Sequence, residues 1–446
     1  DVDTQDTEFE RRDATDEEIK TLPYVVDSIP LIVWIALVAG ALERFTYYAV
    51  TAPWQDYMQN DRDSIEVPGA LGLGQVTATN ISNAFSFFSF IAHLPFAILS
   101  DARTGKYKTL CISFILNTCG CIVLFVTSLP AVTQVSIKTF GLALAMVLLG
   151  LGTGGIKATV SPFIGDQYTV LAPQLVAMKK GERVIVDRTL TLRYIYNVFY
   201  WFTNIGSLSL IASTYLEKEV GFWAAYLLPL CSVGVPIPLL LFWQKSFAKL
   251  APDGNFLPQA GKVLVYSARE RFRLDAAKPA FQAEKYRRTV SWDNLFVLEI
   301  RRGLKACKVM ACFVPFYLCI DQITNNFVSQ AGQIKLSAIP NDTIEALNPI
   351  ACVLLGPIIQ KLLYPGLQKY GIAIESISPP KDMCSLVQAL RQVTAATGSA
   401  LGIALSPVAV DPKVMYLYTG LTATMIAAAP TFWVAFMNYD KVDDAG

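Results

Sequence analysis

Ten runs of about twenty predominantly apolar residues recur along this chain. They lie at 30–53, 81–100, 109–129, 137–160, 193–214, 222–243, 304–322, 345–364, 385–406 and 414–437. A helix of about 20 residues crosses the ~30 Å hydrocarbon core of a bilayer. Backbone at that depth must satisfy its own hydrogen bonds, and a helix does so within one segment. The pattern predicts an all-α polytopic membrane protein with about ten transmembrane helices. Composition agrees, because only 16% of the 446 residues are charged, against about 25% in soluble chains. A charge near the bilayer centre costs ~2.5–3.5 kcal/mol on insertion scales, so lipid selects against it. Two runs are weaker: one carries Lys305, Lys308 and Asp321, the other Arg391 and Gln392. The formal net charge of +1 gives no sign of nucleic-acid binding.

Basic residues set an expected orientation. With the N-terminus in the cytoplasm, the inner loops at 101–108, 164–192, 244–303 and 365–384 hold 3, 4, 12 and 2 Lys or Arg. The outer loops at 54–80, 130–136, 215–221, 323–344 and 407–413 hold 1, 0, 1, 1 and 1. The glycosylation sequons at Asn80 and Asn341 both fall outside. Residues 1–28 are acidic and polar, and read as a disordered cytoplasmic tail, not a cleavable signal. The Pro-, Gly- and charge-bearing stretch 244–303 reads as a cytoplasmic linker. It divides an N-terminal six-helix bundle (29–243) from a C-terminal four-helix bundle (304–438), with a cytoplasmic tail at 439–446. The cysteines at 111, 119, 121, 231, 307, 312, 319, 352 and 384 sit mostly inside apolar runs, as small buried hydrophobes do.

The first run holds Gly40, Glu43, Arg44, Tyr47 and Thr51 at spacings that share one helical stripe. A Glu and an Arg near mid-membrane cannot face lipid cheaply, so this stripe faces a cavity or a partner. A self-neutralising pair that only joins helices is the plainer alternative. The fourth run holds the glycines of GLGTGGIK (150–157), which suit close helix contact. Lys157 needs a carboxylate, and Glu43 and Asp321 are the candidates. His93, the only histidine, reads as packing or pore wall more than proton relay. No nucleotide loop, metal cluster or hydrolytic constellation is evident, so neither a cofactor nor an enzymatic activity is expected.

Several stretches resemble the proton-dependent oligopeptide transporter family. GTGGIK…VSPFIGDQY (152–168) resembles its fourth-helix signature, and ERFTYY (43–48) the end of its first-helix ExxERF motif. DARTGKYKT (101–109), FYWFTNIGSL (199–208) and DQITNNFVSQAGQ (321–333) resemble its second loop, fifth helix and seventh helix. PDGNFLPQAGK and LDAAKP (252–279) resemble fungal members. The resemblance implies a major facilitator fold and symport of protons with di- or tripeptides. It implies proton coupling through Glu43, Arg44, Lys157 and Asp321. It implies a peptide pocket lined by Tyr47, Tyr48, Lys157, Asn204, Gln322 and Asn348. The plasma membrane is the expected location, with both termini cytoplasmic.

Two departures bear on this. The family motif begins with a glutamate where this chain has Gly40. The chain also passes from LQKYGIAI (367–374) to PPKDMCSLVQAL (379–390) within a few residues, where the family has two further helices. Six plus four helices are expected instead of twelve, with an open flank that a homodimer would close. Transport is expected to be impaired. A non-transporting relic, an incomplete gene model, or a carrier of another solute such as nitrate or a secondary metabolite are the alternatives.

Overall fold

In the computed structural model, residues 11–62, 68–177, 183–250, 256–271, 273–324, 326–331, 340–359, 384–408 and 413–436, with positions 362 and 366, are described. Chain order begins with β1 (Arg12–Asp13), α1 (Asp16–Thr21), β2 (Tyr24–Val25), α2 (Leu31–Thr51) and α3 (Trp54–Gln59). There follow α4 (Gln75–Leu99), α5 (Lys106–Ser128) and α6 (Val135–Asp166), then β3 (Gln174–Ala177) and β4 (Arg183–Val186). Next come α7 (Arg188–Ser207), α8 (Ser209–Glu219), α9 (Phe222–Val233) and α10 (Pro236–Phe242). The linker region holds α11 (Phe256–Arg269) and α12 (Pro279–Tyr286). The rest comprises α13 (Asn294–Ala311), α14 (Val314–Thr324), α15 (Asn326–Ala331), α16 (Leu347–Ile358), α17 (Cys384–Leu405) and α18 (Val414–Phe436).

Among the described residues, five helical stretches are long and apolar enough to cross a membrane: Leu31–Gln59, Gln75–Thr104, Lys106–Ser128, Val135–Asp166 and Phe222–Phe242. The other five expected runs coincide with α7–α8, α13–α14, α16, α17 and α18, the end of the 345–364 run lying outside the described residues. The breaks have local causes. Pro53 separates α2 from α3, and Gly234 and Pro236 separate α9 from α10. Helix α6 packs through its glycines. A Cβ at Gly154 would meet Ala92 of α4 at 2.8 Å, one at Gly150 Phe88 of α4 at 2.6 Å, and one at Gly152 the Ser113 carbonyl of α5 at 2.8 Å. The glycine run is therefore a contact surface for two neighbours, as close helix packing requires.

The N-terminal segment corrects the expectation of a disordered tail through residue 28. Residues 12–13 and 24–25 join β3 and β4 in a four-stranded sheet of order β1-β3-β4-β2. Arg12 lies opposite Leu175 in an antiparallel pair, and Tyr24 beside Ile185 in a parallel one. Buried Asp27 anchors the segment. It accepts from Arg11 Nη2 at 2.8 Å and from the Tyr168 hydroxyl at 2.9 Å, while its backbone N–H donates to Thr191 Oγ1 at 3.0 Å. Two-residue strands carry no periodicity, so composition alone hid them. Burial and the hydrogen bond to Asp27 push the Tyr168 phenol up to about 12.

The linker is also more than a loop. Ala260, Val263, Ala277, Trp292, Val297 and Ile300 form a core of their own. The Trp292 indole donates to the Ala277 carbonyl at 2.9 Å, and Asp275 pairs with Arg301 at 2.8 Å. Lys278 and Arg301 hold the Asp275 carboxyl below its usual range. That core explains why α13 starts ten residues before the expected run: its first two turns pack on the linker.

Candidate functional site

Helix α2 carries the charged stripe inward, because neither end of an ion pair survives facing lipid. Glu43 is 1% exposed and accepts two hydrogen bonds from its neighbour, Arg44 Nε at 2.5 Å and Nη2 at 2.8 Å. The pair is bidentate, the strongest geometry open to these groups. The Arg44 guanidinium lies 5.2 Å from the centroid of the Tyr47 ring, and Lys157 Nζ of α6 lies 4.9 Å from the same centroid. Tyr47 is thus flanked by two cations. Lys157 also lies 5.0 Å from the Phe90 ring of α4. Tyr48 stands edge-on to Tyr47, with ring centroids 5.4 Å apart.

The expectation that Lys157 pairs with Glu43 or Asp321 is corrected. Among the described residues no carboxylate lies within salt-bridge distance of its ammonium, which rests on aromatic faces instead. The reason is competition, since Arg44 occupies both Glu43 oxygens. Both carboxylates still act on Lys157 through their charge, as do Arg44 and Arg391. Asp321 accepts a 2.5 Å hydrogen bond from Ser399 of α17.

The remaining expected residues divide. Asn204 turns its amide to its own helix, donating to the Tyr200 carbonyl at 2.8 Å. Asn348 is exposed at the start of α16, where Cys352 Sγ approaches its Oδ1 at 3.7 Å. The side chain of Gln322 lies outside the described residues. Gly40 has a steric explanation, because a Cβ there would meet the Phe199 ring of α7 at 2.6 Å and Val160 of α6 at 3.2 Å. The space of a side chain is filled by apolar atoms. His93 is buried against the Gly154 turn of α6.

Sequence reasoning missed Phe90, Phe199, Ser399 and Glu345. The first three are ordinary residues in apolar runs, with no signal to mark them. Glu345 had one: it lies three residues before Asn348, on the same helical stripe. It is 6% exposed. The segment is held by Ala346, which packs with Tyr48, Ala52, Leu210 and Ile350, and by a 3.0 Å hydrogen bond between Thr214 and Thr343.

Residues 107–384 match the model of the POT family. The chain is 32% identical over 505 residues to the probable peptide transporter ptr2 of Schizosaccharomyces pombe, covering 96% of this chain and 81% of that one. It is 33% identical over 523 residues to the peptide transporter PTR_B of Candidozyma auris, covering 99% and 89% respectively. Both alignments are longer than the 446-residue chain, so these relatives carry residues with no counterpart here. The crystal structure of the POT family transporter PepTSo is similar with a TM-score of 0.69 at 17% identity, over 93% of this chain and 99% of that one. At that identity the likeness concerns the fold.

Proposed function

This chain belongs to the POT family, and on that premise we propose that it is a proton-coupled symporter of di- and tripeptides working by alternating access. One observation carries the reading at the level of residues. Around Tyr47 stand two cations, Arg44 and Lys157, and α14 carries the Asp321 carboxylate, hydrogen-bonded by Ser399. A peptide zwitterion carries an anionic and a cationic end, and opposed charges across a cavity suit it. A lysine that can be drawn toward either of two acids couples protonation of those acids to which bundle it favours.

In this reading Glu43 and Asp321 are the proton-linked acids, and Arg44 and Lys157 their cationic partners. Tyr47, Tyr48, Lys157, Asn204, Gln322 and Asn348 line the peptide pocket. Residues 29–243 and 304–438 form the two moving bundles. The protein is integral to the membrane; we place it in the plasma membrane with both termini cytoplasmic.

Transport by this form is weak. Helix α18 is bare on most of its surface, with Met415, Tyr416, Ile426, Trp433 and Val434 all at least 65% exposed. That leaves the second bundle with one wall open to lipid. The test is uptake of radiolabelled Ala-Ala into liposomes holding the purified chain under an inward proton gradient. Accumulation abolished by a protonophore, and well below that of the S. pombe relative under the same conditions, is expected. Absence of any saturable dipeptide binding would overturn the reading.

A further inference from the structure

The polar stripe of α2 ends in Thr51, a residue the peptide site does not use. Thr51 and Tyr47 border a small cavity, walled also by Trp54 of α3, Phe85 of α4, Asn117 of α5 and Thr153 of α6. A water-sized sphere has about 10 Å³ of room for its centre there, close to the minimum that holds one water molecule. Two buried atoms of the wall residues have no hydrogen-bond partner among the described residues: the Trp54 indole nitrogen and the Asn117 side-chain oxygen. Each residue is 2% exposed. An unpaired polar group at such depth never recovers its desolvation, and native interiors leave few of them. Packing keeps both where they are. The Trp54 ring stands edge-on to Phe85, with centroids 4.7 Å apart. The Asn117 oxygen lies so close to α6 that a Cβ at Gly152 would collide with it.

The two unpaired groups are of opposite sense, one a donor and one an acceptor. A small neutral molecule that both accepts and donates satisfies them together. A cation is repelled by the indole N–H, and an anion finds no charged side chain in the wall. Thr51 spends its hydroxyl hydrogen on the Tyr47 carbonyl at 3.0 Å, which leaves its oxygen able to accept. We propose that this cavity is the binding site of one ordered water molecule, which accepts from Trp54 Nε1 and donates to Asn117 Oδ1 and Thr51 Oγ1. Three partners are what a buried water ordinarily has. The water ties the start of α3 to α2 and α5 across the break at Pro53. It also adjoins Tyr47, whose ring carries Arg44 and Lys157.

The test uses the full chain in detergent with isotope-labelled tryptophan indoles. Loss of one signal in Trp54→Phe identifies the Trp54 indole proton. Water-selective nuclear magnetic resonance is expected to show cross-relaxation between that buried proton and water in the native chain. Asn117→Leu, which keeps the shape and removes the acceptor, is expected to lose it. Absence of the signal in the native chain means a dry cavity and overturns the site, a result that holds even if Asn117→Leu does not fold. An unchanged signal in a folded Asn117→Leu overturns the bridge to Asn117. Thermal melts give an independent measure. Trp54→Phe and Asn117→Leu are each expected to lower the melting temperature by about 2 °C or more. The double variant is expected to lose no more than the larger single loss, since a bridge is broken only once. Additive losses mean two independent groups and overturn the shared water.

Discussion

At the scale of single residues, the site is organised by competition for charge. Arg44 satisfies Glu43 so fully that Lys157 is left to aromatic faces. Cation–π contacts contribute roughly 0.5–2 kcal/mol, so Lys157 is held but free to exchange partners. Lys157→Ala is therefore expected to abolish proton-driven dipeptide uptake while leaving the melting temperature nearly unchanged. Uptake and thermal unfolding measured on one preparation check this, and persistent pH-dependent uptake would return Lys157 to a packing role. Gly40 is governed by space, not charge. Gly40→Glu forces a side chain into the Phe199 ring and is expected to destabilise the bundle by ~1–3 kcal/mol, the usual range for overpacking. The double substitution Gly40→Glu with Phe199→Ala should recover most of that loss. Equal stability of Gly40→Glu and the native chain in thermal melts would show that Phe199 yields freely.

At the scale of elements, the unexpected feature is the small sheet that ties residues 12–25 to strands β3 and β4. Helix α1 within it is closed by a capping box between Thr15 and Glu18, and Glu18 also pairs with Arg12. The Arg12 hydrogen bonds first, then those from Thr15, lower the Glu18 pKa to about 2. A depressed folded-state pKa means that this contribution is fully present above the ordinary value of 4.5. It is lost as pH falls from there through about 2. Amide exchange in residues 15–21 is expected to be flat from pH 8 to 5, after correction for intrinsic rates, and to rise below about 4.5. Glu18→Gln should show the faster exchange already at neutral pH. A rise beginning near pH 6 would point to a different group.

At the scale of the whole molecule, two hydrogen bonds join helices of the two proposed bundles. Ser406 donates to the Asn80 side-chain oxygen at 2.6 Å, and Thr214 meets Thr343 at 3.0 Å. In the proposed orientation these contacts lie on the outer side. Asn80 is consumed by that contact inside α4, which makes it a poor glycosylation acceptor in spite of its sequon. The same orientation puts the linker helices in the cytoplasm. A cysteine introduced at the exposed position Ala283 of α12 is expected to react with a membrane-impermeant maleimide only after permeabilisation, above the background of the native cysteines. Labelling in intact cells would invert the topology.

Much of this protein was legible in its residues. Helices in lipid satisfy their own backbone, so the apolar runs declare them locally, and the family motifs fall in order along those runs. The charged stripe of α2 was legible for the same reason, since Glu43 and Arg44 share one segment. What required the tertiary structure was every relation between segments. Which cation takes Glu43 depends on reach, and an adjacent arginine outcompetes a lysine on another helix. That Gly40 makes room for Phe199, that residues 12–25 find strand partners some 160 positions away, and that Ala346 comes to pack with Tyr48 are long-range contacts. No local period encodes them, because they are set by how packed helices share a limited volume.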